Sequence, residues 1–83
     1  MKLLGEYVLT EIGDEIMACS VGEGTPRVVT LNESGRLLWP LLEKGCTQEE
    51  LTAALCDEYE VSEDSARADV HSFVEYLKSR GIL

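Results

Sequence analysis

The first third of the chain consists of short runs of β-branched, aromatic and aliphatic residues separated by turn formers. Residues 6–12 (Glu6-Tyr7-Val8-Leu9-Thr10-Glu11-Ile12) and residues 15–21 (Glu15-Ile16-Met17-Ala18-Cys19-Ser20-Val21) flank the dipeptide Gly13-Asp14. Strand formers on both sides of a two-residue loop with glycine first predict a hairpin with a type II′ turn. Gly22-Glu23-Gly24-Thr25-Pro26 is dense loop punctuation. Residues 27–31, Arg27-Val28-Val29-Thr30-Leu31, then predict a third short strand.

From Asn32 onward the apolar period lengthens to that of a helix. Asn32 is a good N-cap, because its side-chain oxygen can accept an otherwise unpaired N–H of the first turn. Over residues 33–44, Leu37, Leu38, Leu41 and Leu42 share a face with Trp39 at its edge, and Gly45 can close the helix. Pro40 removes a backbone bond and crowds the carbonyl of Arg36, so a kink or restart is expected there. Thr47-Gln48-Glu49-Glu50 is a capping box opening a helix over 48–59, with Leu51, Leu55 and Tyr59 one turn apart. Ser62 caps a third helix, over 63–80. Its acids Glu63 and Asp64 start it, and Lys78 and Arg80 end it, as the macrodipole favours. Ala66, Val70, Phe73 and Leu77 make its buried stripe, Gly81 stops it, and Ile82-Leu83 folds back on the core. The fold class is therefore α+β: a three-stranded antiparallel sheet followed by three helices, winged helix-turn-helix-like, in one domain over residues 1–83.

Charge and composition remove most functions from such a domain. Sixteen acids against seven Lys plus Arg leave a net charge of −9, a surface that repels phosphate backbones. A winged-helix DNA regulator is one alternative, but the third helix mixes Arg67, Lys78 and Arg80 with Glu63, Asp64, Asp69 and Glu75. No run of 18 apolar residues exists, and only two consecutive leucines precede the first acid. A membrane span and a secretory signal are thus not expected, which points to the cytoplasm. Cys19, Cys46 and Cys56 are odd in number and lack CxxC spacing, so they read as small hydrophobes, not as metal ligands or a disulfide framework. The single histidine, His71, has only Glu75 within reach as an i,i+4 pair, and Gly22-Glu23-Gly24 opens no helix. No catalytic set is visible, and neither an enzyme nor a cofactor is expected.

What remains is peptide binding. A short third strand that ends its sheet offers unpaired N–H and C=O groups to an extended peptide. At about 100° per residue, Arg67, His71, Val74 and Lys78 form a mixed basic and apolar stripe beside the buried one. With Arg27 on the strand, that stripe suits a peptide carrying acidic and aliphatic residues. The competing reading is a solvated face, with Arg67 paired to Glu63 and Lys78 and Arg80 complementing the helix C-terminus. An acidic adaptor that docks only on a larger enzyme is a further alternative.

The order and spacing of certain residues resemble a known family. Leu31-Asn32-Glu33-Ser34-Gly35, Trp39, Leu41-Leu42 and Gly45 are similar to the central signature of the PqqD-like family. The similarity continues through Thr47, Glu50-Leu51, Leu55, Tyr59 and Val61 to Asp69-Val70, Phe73, Leu77, Gly81 and Leu83, about Tyr7 to Leu83 in all. Pro40 departs from it. The resemblance implies a non-enzymatic recognition element for ribosomally made, post-translationally modified peptides. Such an element holds the leader segment of a precursor as an added strand and presents the rest to a modifying enzyme, often a radical S-adenosylmethionine protein. Carried onto this chain, it implies a binding strand of Arg27, Val28, Val29, Thr30 and Leu31. Joined to the stripe, it implies a helix wall of Arg67, Val70, His71, Val74 and Lys78. The Asn32–Trp39 signature is expected to be structural. Pyrroloquinoline quinone, lasso-peptide and thioether-peptide pathways all fit, as does a monomer or a homodimer.

Overall fold

The computed structural model describes residues 1–22 and 24–83; Glu23, expected in the loop before the third strand, lies outside them. Three strands, β1 (Tyr7–Ile12), β2 (Glu15–Ser20) and β3 (Val28–Leu31), precede three helices, α1 (Glu33–Lys44), α2 (Gln48–Glu58) and α3 (Glu63–Ser79). The sheet is antiparallel throughout, in the order β1-β2-β3. The expected α+β, winged-helix-like architecture is what the chain adopts, with each element within two residues of its expected ends.

Local chemistry explains each boundary. Gly13 has φ 63°, and no described non-glycine residue, Asp14 included, has positive φ. That combination, with Ile12 facing Glu15, fits a type II′ hairpin and excludes type I′. Asn32 Oδ1 accepts the Gly35 N–H at 2.8 Å and the Ser34 hydroxyl at 2.9 Å. The capping box of α2 is complete: Thr47 Oγ1 accepts from the Glu50 N–H, and Glu50 Oε1 from the Thr47 N–H. Ser62 caps α3 through the Ser65 N–H. At the far end of α3, the Gly81 N–H reaches the Lys78 carbonyl and the Ile82 N–H that of Leu77. This is a Schellman closure with Gly81 at φ 74°. It turns the fully buried Ile82 back onto the core, where its carbonyl accepts the Leu4 N–H at 2.8 Å.

The core lies between one face of the sheet and the three helices. Ala18, Val29 and Leu31 enter it from the sheet, Leu38, Trp39 and Leu42 from α1, Leu51 and Leu55 from α2. On α3 the fully buried stripe is Ala66, Val70, Val74 and Leu77; Phe73, expected in it, is only half-buried. The α1 stripe is likewise rotated from expectation, with Trp39 fully buried at its centre and Leu37 and Leu41 at its margins. Tyr7 meets Trp39 edge-on, with ring centroids 5.7 Å apart. Burial pushes the Cys46 thiol up from its ordinary range, in keeping with a small apolar role.

The expected restart at Pro40 does not occur, since α1 runs unbroken from Glu33 to Lys44. Pro40 and Arg36 are both exposed, so the carbonyl deprived of its partner lies where solvent can serve it. Two stability measurements follow. Trp39→Ala is expected to cost about 3–5 kcal/mol in urea unfolding, enough to leave a domain of this size largely unfolded. Pro40→Ala is expected to raise stability by about 1–3 kcal/mol, because an interior helix bond is restored.

Candidate functional site

The strand order leaves β3 with one neighbour, and the ladder shows what its other side offers. Ser20 donates its N–H to the Arg27 carbonyl at 2.9 Å, and the Arg27 N–H returns to Ser20 Oγ at 2.7 Å. In an antiparallel pair, hydrogen-bonded and non-hydrogen-bonded residue pairs alternate. Arg27 therefore turns its backbone toward β2, as do Val29 opposite Ala18 and Leu31 opposite Ile16. Val28 and Thr30 turn their N–H and C=O groups outward. The open edge thus carries two complete donor–acceptor sets.

Side chains alternate in step. Val29 and Leu31 are buried, while Val28 and Thr30 are exposed on the outer face. Beside the open edge lies a cleft of about 370 Å³ between β3 and α3, lined by Thr30, Leu31, Asn32, Phe73 and Tyr76. It is narrow for a local reason. Gly35 sits where a methyl group would stand 3.3 Å from Phe73 Cε1 and 3.4 Å from Leu31 Cβ. Past Asn32 a second hollow, sharing Asn32 and Phe73 with the cleft, is lined by Leu38, Leu55, Asp69 and Ser72. A third recess, of about 420 Å³, shares Asn32, Ser34, Leu55 and Asp69 with the second and adds Glu33, Tyr59 and Val61. Among the described residues no group of His, Cys, Asp and Glu is placed to hold a metal ion. The arrangement can bind an extended chain through backbone hydrogen bonds and an aromatic wall.

Comparison with known proteins identifies the domain. The family model for coenzyme PQQ synthesis protein D (PqqD) matches residues 6–83. The chain belongs to the PqqD family. PqqD-like domains are non-catalytic accessory elements. The solved structure of TbiB1 in complex with the TbiA(beta) leader peptide is similar to this PqqD-like fold, with a TM-score of 0.77 and 31% identity. The match covers 100% of this chain and 94% of that one. No curated protein matches.

The PqqD-like fold places the expected site residues unequally. Arg27, Val28 and Thr30 are exposed at the edge strand, and Val29 and Leu31 lie beneath it. On α3, Val70 and Val74 are fully buried in the core and present no side chain to the cleft. Arg67 is exposed but bound to Glu63 and Asp64, in a recess it shares with Thr52, Cys56 and Asp57 of the α2 side. His71 and Lys78 are exposed and, at about 100° per residue, fall on the same flank as Arg67. None of Arg67, His71, Val74 and Lys78 is among the residues that line the cleft beside β3. The wall toward β3 is the opposite flank, Phe73 and Tyr76, roughly 160° around the helix from His71. Asn32, expected to be structural, both caps α1 and lines the cleft. The available signal was the aromatic pair Phe73 and Tyr76, three residues apart on one flank.

The ladder parity can be tested by proline scanning. Val29→Pro is expected to destabilise the domain by about 1–3 kcal/mol or more, because it strands the Ala18 carbonyl inside the sheet. Thr30→Pro is expected to leave the circular dichroism spectrum and urea midpoint nearly unchanged, because the deleted N–H faces outward. The opposite ranking would invert the assignment of the open edge.

Proposed function

We propose that this domain is a peptide chaperone that takes up the leader segment of a ribosomally made precursor as a fourth strand on β3. The observation that carries this reading is the outward-facing pair of donor–acceptor sets at Val28 and Thr30, set beside the Phe73–Tyr76 wall. The likeness to leader-bound TbiB1 supports it. Arg27 to Leu31 supply the strand, and Phe73 and Tyr76 of α3 contact side chains on one face of the peptide. The domain acts in the cytoplasm without a cofactor of its own. It hands the core segment to a modifying enzyme, of the radical S-adenosylmethionine class in pathways of the pyrroloquinoline quinone type. Among the described residues no helix is long and apolar enough to cross a membrane.

The test is an amide-resolved NMR titration with the leader peptide encoded nearest the gene. Shifts are expected at Val28–Leu31 and around Phe73–Tyr76. Thr30→Pro is expected to weaken binding at least about tenfold, or 1.4 kcal/mol, while Arg67→Glu stays within about twofold, since Arg67 already holds two acids on the far flank. Shifts centred on the Arg67 flank, or unchanged affinity in a folded Thr30→Pro variant, would place the peptide elsewhere.

A further inference from the structure

The distribution of unpaired charge along the cleft carries information that the backbone edge does not. Of the seven basic side chains, Arg36 is held by Glu11, and Arg67 by Glu63 and Asp64. Arg27 and Arg80, like Lys2, Lys44 and Lys78, form no ion pair among the described residues. Both guanidinium groups lie toward the C-terminal end of α3, Arg27 beside Gly81 and Arg80 beside Tyr76 of the cleft wall. That of Arg27 lies 3.6 Å from where a side chain on Gly81 would begin, and that of Arg80 stands 5.3 Å over the Tyr76 ring. Arg27 shares the inward parity of Val29 and Leu31, so its side chain rises on the helix side of the strand. The carbonyl end of α3 favours cations here.

The other end has the opposite sign. Asp69 lines the second hollow beyond Asn32, and Glu33 joins it at the third recess. Neither has a basic partner among the described residues. From the Arg27 end of β3 to beyond its Asn32 end, the surface therefore passes from two cations without ion-pair partners among the described residues, over an aromatic wall, to two anions likewise without them. From Arg27 to Asn32 the chain takes five extended steps across β3, roughly 17 Å, and the two acids lie just past that end.

We infer that the cleft reads the charge order of the bound strand: an Asp or Glu side chain lies over Arg27 and Arg80, and a Lys or Arg side chain lies against Asp69 and Glu33. This rests on the strand-addition reading above and adds a direction to it. Backbone pairing alone tolerates either direction, with a small preference for antiparallel. A dipolar cleft separates the two strongly, because the reversed peptide sets acid against acid and base against base. Antiparallel addition to β3 requires the basic residue to precede the acidic one. Both side chains must point toward α3, so an even spacing of four or six residues separates them.

The experiment scans the same nearest-encoded leader, replacing each position in turn by Lys and by Glu, against the wild-type domain and Arg27→Glu/Arg80→Glu. One position is expected where Lys weakens wild-type binding about tenfold and the doubly reversed domain restores it. Four or six residues earlier, Glu is expected to weaken binding and Asp69→Lys to restore it. The milder Arg27→Gln/Arg80→Gln pair, checked by circular dichroism, should flatten the salt dependence of affinity between 50 and 300 mM. If the wild-type domain binds the leader with shifts at Val28–Leu31, but the glutamine pair binds within twofold at both salt concentrations and no position is rescued, charge reading is overturned and strand addition stands. If the wild-type domain shows no shifts at Val28–Leu31, strand addition itself fails and the charge order falls with it.

Discussion

The distance between β3 and α3 is set at Gly35, and the rest of the candidate site depends on that contact. Asn32 ends the strand and starts the helix in a single step, its side-chain Oδ1 accepting from both the Gly35 N–H and the Ser34 hydroxyl. With no Cβ at position 35, the first turn of α1 can lie against Leu31 and Phe73 together. Phe73 is thereby held half out of the core, where it walls the cleft. A bulkier residue at 35 would push on three neighbours at once. The family signature around Asn32 to Trp39 is structural in this sense: it builds the floor and spacing of a site whose polar groups lie elsewhere.

What could be recognised in the sequence was whatever depends on neighbours along the chain. The N-caps at Asn32, Thr47 and Ser62, the Gly13-Asp14 turn and the closure at Gly81 are all decided within five or six residues, and all are found. Which flank of a helix meets which strand is decided across the fold. Periodicity located the buried stripe of α3 to within about one residue, but it treats the two flanks of that stripe as equivalent. Charge singles out the basic flank, whereas the sheet meets the aromatic one. Arg67 shows why charge misleads: an i,i+4 acid one turn away satisfies it locally. Pro40 misled in the other direction, because an exposed helix position tolerates the lost hydrogen bond.

The division of labour across the sheet follows from the parity of a single strand. Residues of β3 whose side chains hold the core also spend their backbone on β2. Residues whose side chains face solvent keep their backbone groups for the edge. Stability and edge pairing therefore use different residues of a four-residue strand. Val29 and Leu31 cannot change without loosening the sheet, while Val28 and Thr30 can be altered with the core intact.

The same alternation acts on any strand laid against that edge. Every second residue of an added chain would face Phe73, Tyr76 and the charges at the ends of the cleft. The residues between would emerge on the opposite side of the sheet, alongside the exposed Val8 and Val28. A precursor held in this way is constrained only at alternate positions. Its remaining letters are free to drift, or to be recognised by another protein approaching the outer face, without altering how tightly this domain holds it.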